Sequence, residues 1–311
     1  MCTAISYKTH HHYFGRNLDL ERGYHERVVI TPRNYPLSFR FAPSYKSHYA
    51  LIGMAAVVED YPLYFEGTNE KGLSMAGLNF PGNAYYAPYQ ENKVNVAPFE
   101  LIPYLLGACD SVENVEKTLG KIHVADCNFS EQLPATPLHW LIGDKKRSIT
   151  LECTKKGMDV YENPFGVLTN NPTFDYHAVN MNNYMSLHPG GAENQLSSIP
   201  LENYSLGMGS LGLPGDFSSA SRFVKAVFVK ENSVCDGSER ESVNQFFHIL
   251  QSVAMPKGCV KTSGGEFEYT RYCSCCNTDT QVYYYTTYDD FTPKEVDMHG
   301  VDLDSADLFV Q

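Results

Sequence analysis

The chain opens Met1-Cys2-Thr3-Ala4-Ile5-Ser6-Tyr7-Lys8, passes Thr9-His10-His11, and returns as His12-Tyr13-Phe14-Gly15-Arg16-Asn17. Two arms rich in strand-forming residues flank a short polar turn, which predicts a β-hairpin over Thr3–Lys8 and His12–Asn17. Its first strand begins beside a cysteine in second position. A small residue there favours removal of Met1 by an aminopeptidase, leaving a terminal cysteine with a thiol and a free α-amine. Such an amine ordinarily titrates near about pH 8, well below a lysine. One residue then supplies both nucleophile and base, with no separate histidine. A chance cysteine near the start is the plain alternative, and the rest of the chain decides between the two.

Outward from the hairpin the first third continues as strands. Arg27–Thr31 carries Val28, Val29 and Ile30, while Ala50–Val58 and Gly72–Phe80 are apolar and glycine-spaced, as in buried strands. Helices follow. Phe99–Cys109 is largely apolar, and Asp110-Ser111-Val112-Glu113 reads as a helix start with Asp110 as N-cap. Val112, Val115, Leu119 and Ile122 then mark one face. Leu138–Gly143, Ser148–Thr154 and Met158–Tyr161, joined by short polar turns, predict a meander. Amphipathic helices over Ser219–Lys230 and Glu241–Met255 precede closing strands at Phe267–Cys276, Gln281–Tyr288 and Glu295–Met298. Short turns favour antiparallel pairing, so the predicted class is α+β, with helices layered over antiparallel sheets. No Pro/Gly-rich linker divides the chain and Gly190–Leu213 reads as an excursion, so residues 1–311 are taken as one domain.

A formal charge of −12 disfavours nucleic acid and anionic membrane as partners. No run approaches the roughly 18 apolar residues of a membrane span. The opening residues lack the order of a secretory signal, so the expected location is the cytoplasm. Nine cysteines, odd in number and irregularly spaced, argue against a disulfide framework. Cys273-Ser274-Cys275-Cys276 lies in a strand-like run without a second half-site, so it reads as core, not as a metal site. His10-His11-His12 reads as a solvated turn.

A thiolate nucleophile needs a positive charge beside it, a group to orient the amine, and donors for the oxyanion of acyl transfer. The hairpin returns Arg16 and Asp19 of Phe14-Gly15-Arg16-Asn17-Leu18-Asp19 to the N-terminus. A guanidinium there stabilises the thiolate and a carboxylate orients the amine; a surface ion pair is the plain alternative. Asn79 in Gly77-Leu78-Asn79-Phe80-Pro81-Gly82 and Asn170 in Leu168-Thr169-Asn170-Asn171-Pro172 each end an apolar strand, where an amide can point into a cleft. Asparagine is also a common turn residue. In Leu213–Phe223 a loop feeds a helix with Arg222 near its start, the end at which the helix dipole disfavours a cation. A buried charge network or an anion contact accounts for that placement, and so does a surface arginine.

Together these blocks resemble the choloylglycine hydrolases, also called conjugated bile salt hydrolases, and the related penicillin V acylases. These are N-terminal nucleophile amidases. The resemblance runs from Met1-Cys2-Thr3 to the Tyr283–Asp289 strand. Phe14–Asp19, Asn69-Glu70-Lys71-Gly72-Leu73 with Ala76–Pro81, Leu168–Pro172 and Leu213–Phe223 carry it, in family order. It implies Cys2 as nucleophile with its own amine as base, and Arg16 and Asp19 as the residues that tune and orient it. It implies Asn79 and Asn170 as oxyanion and substrate-positioning residues, and Arg222 as a supporting charge. It also implies a four-layer αββα sandwich, a homotetramer, and no metal or organic cofactor.

The implied reaction is hydrolysis of glycine- or taurine-conjugated bile salts through a Cys2 thioester. Asn79 leans the resemblance this way, because penicillin V acylases usually hold tyrosine at its position. Leu18, Leu20, Tyr24, Val58, Phe65, Phe129 and Leu133 are candidates to line an apolar sterol pocket, with ordinary core packing as the alternative for each. Burying sterol surface at about 25 cal/mol per Å² lets the apolar half dominate affinity. An acylase for penicillin V or other acyl amides is the alternative enzyme, and a non-catalytic sterol-binding relative the alternative of another class.

Overall fold

The hairpin forms as β1 (Cys2–Lys8) and β2 (His12–Leu20), and nearly every residue of both strands is buried. Burial without alternation means that both faces of the hairpin are covered. The structure, a computed structural model, describes residues 1–311. A meander follows as β3 (Arg27–Thr31), β4 (Leu51–Val58), β5 (Tyr61–Asn69) and β6 (Ser74–Asn79). A small parallel pair, β7 (Val94–Val96) with β8 (Ile122–Val124), brackets α1 (Leu101–Ala108) and α2 (Val112–Leu119). The second meander is β9 (Leu138–Gly143), β10 (Ser148–Thr154) and β11 (Gly157–Glu162), and it joins the first through β6 and β9. Next come β12 (Val167–Leu168), α3 (Phe174–Asn180), α4 (Ser219–Glu231) and α5 (Glu239–Gln251). The chain closes with β13 (Val260–Lys261), β14 (Phe267–Asn277), β15 (Val282–Thr287), β16 (Lys294–Asp297) and β17 (Phe309–Val310).

Two sheets result. The seven-stranded sheet runs β12-β1-β2-β14-β15-β16, with β13 added on β14; the eight-stranded sheet runs β11-β10-β9-β6-β5-β4-β3-β17. Alternation in the second sheet divides its side chains between two cores. Val28, Ile30, Ile52, Met54, Ala76 and Leu78 face the first sheet and share a core with it and with Phe223, Phe246 and Leu250 of α4 and α5. Val29, Leu51, Met75, Trp140 and Ile142 face the other way, against Leu105 and Leu106 of α1 and Val112 and Val115 of α2. The layers are therefore helix, sheet, sheet, helix, an α+β sandwich of antiparallel sheets as expected.

Local differences from the sequence reading have local causes. Ser111, not Asp110, caps α2: its side chain accepts from the Asn114 backbone, and Asp110 turns to the Asn114 side chain instead. Ile122 leaves the helical face and enters β8. α5 starts earlier, at Glu239, because Ser238 accepts from the Glu241 backbone and caps it. β5 escaped notice because Glu66 and Gly67 interrupt its apolar pattern. The histidine triplet is not wholly a solvated turn. His10 is exposed, but His12 is buried, its ring between the Ser6 and Thr278 hydroxyls at 2.8 Å each.

Candidate active site

Cys2 is buried at the head of β1, opposite Leu18 of β2. Its backbone N–H donates to Asn170 Oδ1 at 2.8 Å. Asn170 lies just past β12, which pairs with β1, so the adjacent strand brings it there. Its amide is a hub. Oδ1 also accepts from Arg222 Nη2 at 2.7 Å, and Nδ2 donates to the Asn79 carbonyl at 2.7 Å. The Asn170 backbone is held as well, its N–H by Ser219 Oγ at 2.8 Å and its carbonyl by His177 Nε2 at 2.9 Å. Burial keeps the His177 imidazole at about 4, so it donates as a neutral ring.

Arg222, in the first turn of α4, is almost fully buried and points at the start of β1. Nη1 donates to the Cys2 carbonyl and to Thr3 Oγ1, and Nε to the Phe217 carbonyl at 3.0 Å. Burial lowers this guanidinium's pKa, while Asp19 and Cys2 oppose the shift. The charge that a helix N-terminus disfavours is thus held by a buried network.

Arg16 and Asp19 lie on β2 and are fully buried. Two one-residue slips in strand register help to position them. Phe65 is unmatched where β5 pairs with β4, and its carbonyl accepts from Arg16 Nη1 at 3.1 Å. The same nitrogen donates to the Gly77 carbonyl, while Nη2 is buried without a partner. The second slip falls between Thr270 and Tyr272, where β14 pairs with β2, and Thr270 Oγ1 donates to Asp19 Oδ1 at 2.6 Å. Asp19 Oδ2 is buried and unpartnered. Burial raises the Asp19 carboxyl, against Arg222, the chain amine, Thr270 and Arg16. Met1 extends the hairpin by exchanging backbone hydrogen bonds with Asp19, at 2.8 and 3.0 Å, and its amine also meets Glu268.

Thiol, two guanidiniums, a carboxylate and an amide thus converge at the start of β1, an arrangement able to attack a linear amide. The family model for linear amide C–N hydrolases of the choloylglycine hydrolase family matches residues 2–311. The chain belongs to that family. It is 53% identical over 309 residues to a bile salt hydrolase/transferase of Lactiplantibacillus plantarum, covering 99% of this chain and 95% of that one. A Clostridium perfringens protein of the same description is 36% identical over 318 residues, with 99% and 95% covered. A crystal structure of the C2A mutant of the conjugated bile acid hydrolase from that organism superposes with a TM-score of 0.92 at 35% identity, covering 100% of this chain and 96% of that one. A penicillin V acylase from Agrobacterium tumefaciens, at a TM-score of 0.76 and 19% identity over 99% of this chain and 90% of that one, shares the fold. The layers are those of this family of N-terminal nucleophile hydrolases.

The structure brings all six candidate catalytic positions together. They differ in what is engaged: both side-chain ends of Asn170 are bonded, with one Nδ2 hydrogen left over, while Asn79 contributes its carbonyl to the network and its side chain has no protein partner. The seven pocket candidates fall into two groups. Leu18 is core, Leu20 and Phe65 pack partly against the same core, and Tyr24 tilts against Phe65 with centroids 6.3 Å apart. Val58 and Phe129 lie against Tyr61, and Leu133 lies beside Phe129. Tyr61 pairs with Val58 across the strand ends and lies 6.0 Å from the Phe129 ring, and Phe129 N–H donates to the Leu133 carbonyl.

Glu66 was missed by sequence reasoning. From β5 it reaches across the sandwich and accepts from Tyr272 OH at 2.7 Å, Ser274 Oγ at 3.0 Å and Tyr283 OH at 2.6 Å, with Arg16 Nε at 3.9 Å. Burial raises its carboxyl, and Arg16 is foremost among the groups that oppose the shift. A lone acid within an otherwise buried strand is the signal that could have found it. Cys273, Cys275 and Cys276 are buried in β14, and no group of three or more His, Cys, Asp or Glu side chains is placed to hold a metal ion.

Proposed function

We propose that this chain hydrolyses the amide bond of glycine- or taurine-conjugated bile salts, with Cys2 as nucleophile. The carrying observation is the buried Cys2 whose nitrogen meets Asn170 Oδ1 at 2.8 Å. The bile salt hydrolases among its relatives suggest the substrate class.

Removal of Met1 turns the Cys2 nitrogen into an α-amine, and the bond to Asn170 Oδ1 orients its lone pair. The Met1 amine, one residue upstream, is held below its ordinary value by burial. The Cys2 amine takes the thiol proton, and the thiolate attacks the substrate carbonyl. Arg16 supplies positive charge beside the thiolate, and the free Oδ2 of Asp19 accepts from the ammonium. The Asn79 amide and the second Nδ2 hydrogen of Asn170 donate to the oxyanion, and Arg222 holds Asn170 and the Cys2 carbonyl in register. The ammonium passes its proton to the leaving nitrogen as the C–N bond breaks, freeing glycine or taurine. Water then attacks the thioester, the amine accepts its proton, and bile acid leaves as the thiol is restored. Leu20, Tyr24 and Phe65, with Val58, Phe129 and Leu133, form the apolar wall against the sterol, and Leu18 supports it from the core.

Residues 1–311 act in this reading as one catalytic domain, in the cytoplasm, within a homotetramer. Leu196, Ile199, Leu201, Tyr204, Leu206 and Leu211, in the excursion between α3 and α4, are all more than half exposed, and an oligomer interface would cover them.

The test is intact-mass analysis paired with turnover. A chain lacking Met1 is expected to cleave glycocholate or taurocholate faster than penicillin V, and Cys2→Ala to lose at least about a thousandfold in kcat. Preference for penicillin V overturns the substrate, and full activity with Met1 retained overturns the mechanism.

A further inference from the structure

One buried ionisable pair stands beside the site without a part in the mechanism above. His139 of β9 and Glu152 of β10 are both fully buried, with Nδ1 and Oε1 3.0 Å apart. His139 Nε2 lies 3.0 Å from the Thr169 carbonyl, which can only accept, so Nε2 carries a proton. Glu152 Oε1 also accepts from the Phe174 backbone N–H at 3.0 Å. Oε1 therefore faces two nitrogens, His139 Nδ1 and the Phe174 N–H, while Glu152 Oε2 is buried without a partner. The Phe80 ring lies flat on the imidazole, with centroids 4.2 Å and planes 7° apart.

The neighbours of this pair are the two asparagines. Phe80 follows Asn79, and Thr169 precedes Asn170. Phe174 opens α3, which carries the His177 that holds the Asn170 carbonyl. One hydrogen-bonded pair therefore ties β9, β10, the end of β6, the end of β12 and the start of α3. A buried polar pair gains little stability over apolar residues of the same size, but its hydrogen bonds fix direction as apolar contacts cannot.

We infer that His139 and Glu152 are positioning residues of the active site, whose contacts to Thr169, Phe80 and Phe174 set the geometry in which Asn79 and Asn170 hold the oxyanion. This rests on the reading of Asn79 and Asn170 above. Neither residue touches the reacting atoms.

The test uses the full chain and Glu152→Gln, which keeps the size and replaces the carboxyl with an amide. Three quantities are read: steady-state hydrolysis of glycocholate, inhibition by the C24 aldehyde of cholic acid, and alkylation of Cys2 by iodoacetamide. The aldehyde adds to the thiolate as a hemithioacetal and so reports on oxyanion binding. Expected is a roughly ten- to hundredfold fall in kcat with KM little changed, and a matching loss of aldehyde affinity. Alkylation, which needs no oxyanion donor, stays near the wild-type rate. Unchanged kcat and aldehyde affinity overturn the proposal, and so does an alkylation rate that falls in step with kcat. Should Glu152→Gln fail to fold, Phe80→Leu carries the same expectation, and failure of both to fold overturns a positioning role in favour of a purely structural one. Wild-type chain inert toward glycocholate instead sinks the substrate reading, and the three quantities are then measured with the acyl amide it does cleave and the matching aldehyde.

Discussion

At the residue scale the site is organised by Asn170 more than by Cys2. One side chain joins Cys2, Arg222 and Asn79, which lie on separate elements. Its removal leaves a buried guanidinium nitrogen, a backbone N–H and a carbonyl without partners. Asn79 differs, because its backbone carbonyl makes the shared contact and survives truncation. Asn170→Ala is therefore expected to cost about 1–3 kcal/mol of stability along with at least about a hundredfold in kcat. Asn79→Ala should lower kcat with stability nearly unchanged. Urea denaturation beside steady-state kinetics checks the contrast, and equal destabilisation by the two would contradict it. The six candidate positions were legible as residue types in ordered blocks. Glu66 was not, because its partners Tyr272, Ser274 and Tyr283 lie more than 200 residues away and no local pattern announces them.

At the element scale the hairpin owes its anchorage to a histidine that looked like part of a turn. His12 opens β2, its backbone bonded to Asp279 and Thr278 and its ring to Ser6 and Thr278. Two hydroxyls suit a neutral imidazole, and burial pushes His12 down to about 4 from the ordinary 6.5. His177 on α3 is depressed to the same level, also by burial. A base with a depressed folded pKa contributes stability that is present above 6.5 and lost as pH falls toward 4. The shift corresponds to roughly 3 kcal/mol for each ring as an upper figure. Asp19 and Glu66, raised by burial, act in the opposite sense: their contribution is full below the ordinary carboxyl range and lost as pH rises through their folded values. The histidine contribution is therefore read as a difference. Between pH 6.5 and 4 the stability of His12→Gln should fall less steeply than that of the wild type, measured by urea denaturation at each pH. Parallel curves would remove His12 from the account. Elements with a clean apolar period, such as β3, β9 and β10, were readable to the residue. β5 and α3 were not, because a buried acid breaks the period of one and the other is short.

At the scale of the whole molecule, the excursion between α3 and α4 leaves large apolar side chains in water, with Leu206 fully exposed. Covering them in an assembly offsets that cost at about 25 cal/mol per Å². Light scattering behind size exclusion should find a tetramer. The pair Leu206→Glu and Leu196→Glu should lower the assembly order and leave Cys2 open to alkylation as before. A monomeric wild type would count against the homotetramer.

By itself the sequence determined the hairpin, the cysteine at its head, the antiparallel meanders and the amphipathic helices, because strand and helix periods and turn residues act over a few positions. It also placed the functional residue types in an order that resembled one family. Only the tertiary structure decided how those residues meet. Arg222 reaches the Cys2 carbonyl across 220 positions of chain, and Asn170 reaches the Cys2 nitrogen across 168. The same folding buries Glu66 under Arg16 and sets His139 beside Thr169. Such contacts depend on which faces of two sheets close on each other, and burial there raises what each unpaired charge costs. Sequence spacing carries neither quantity.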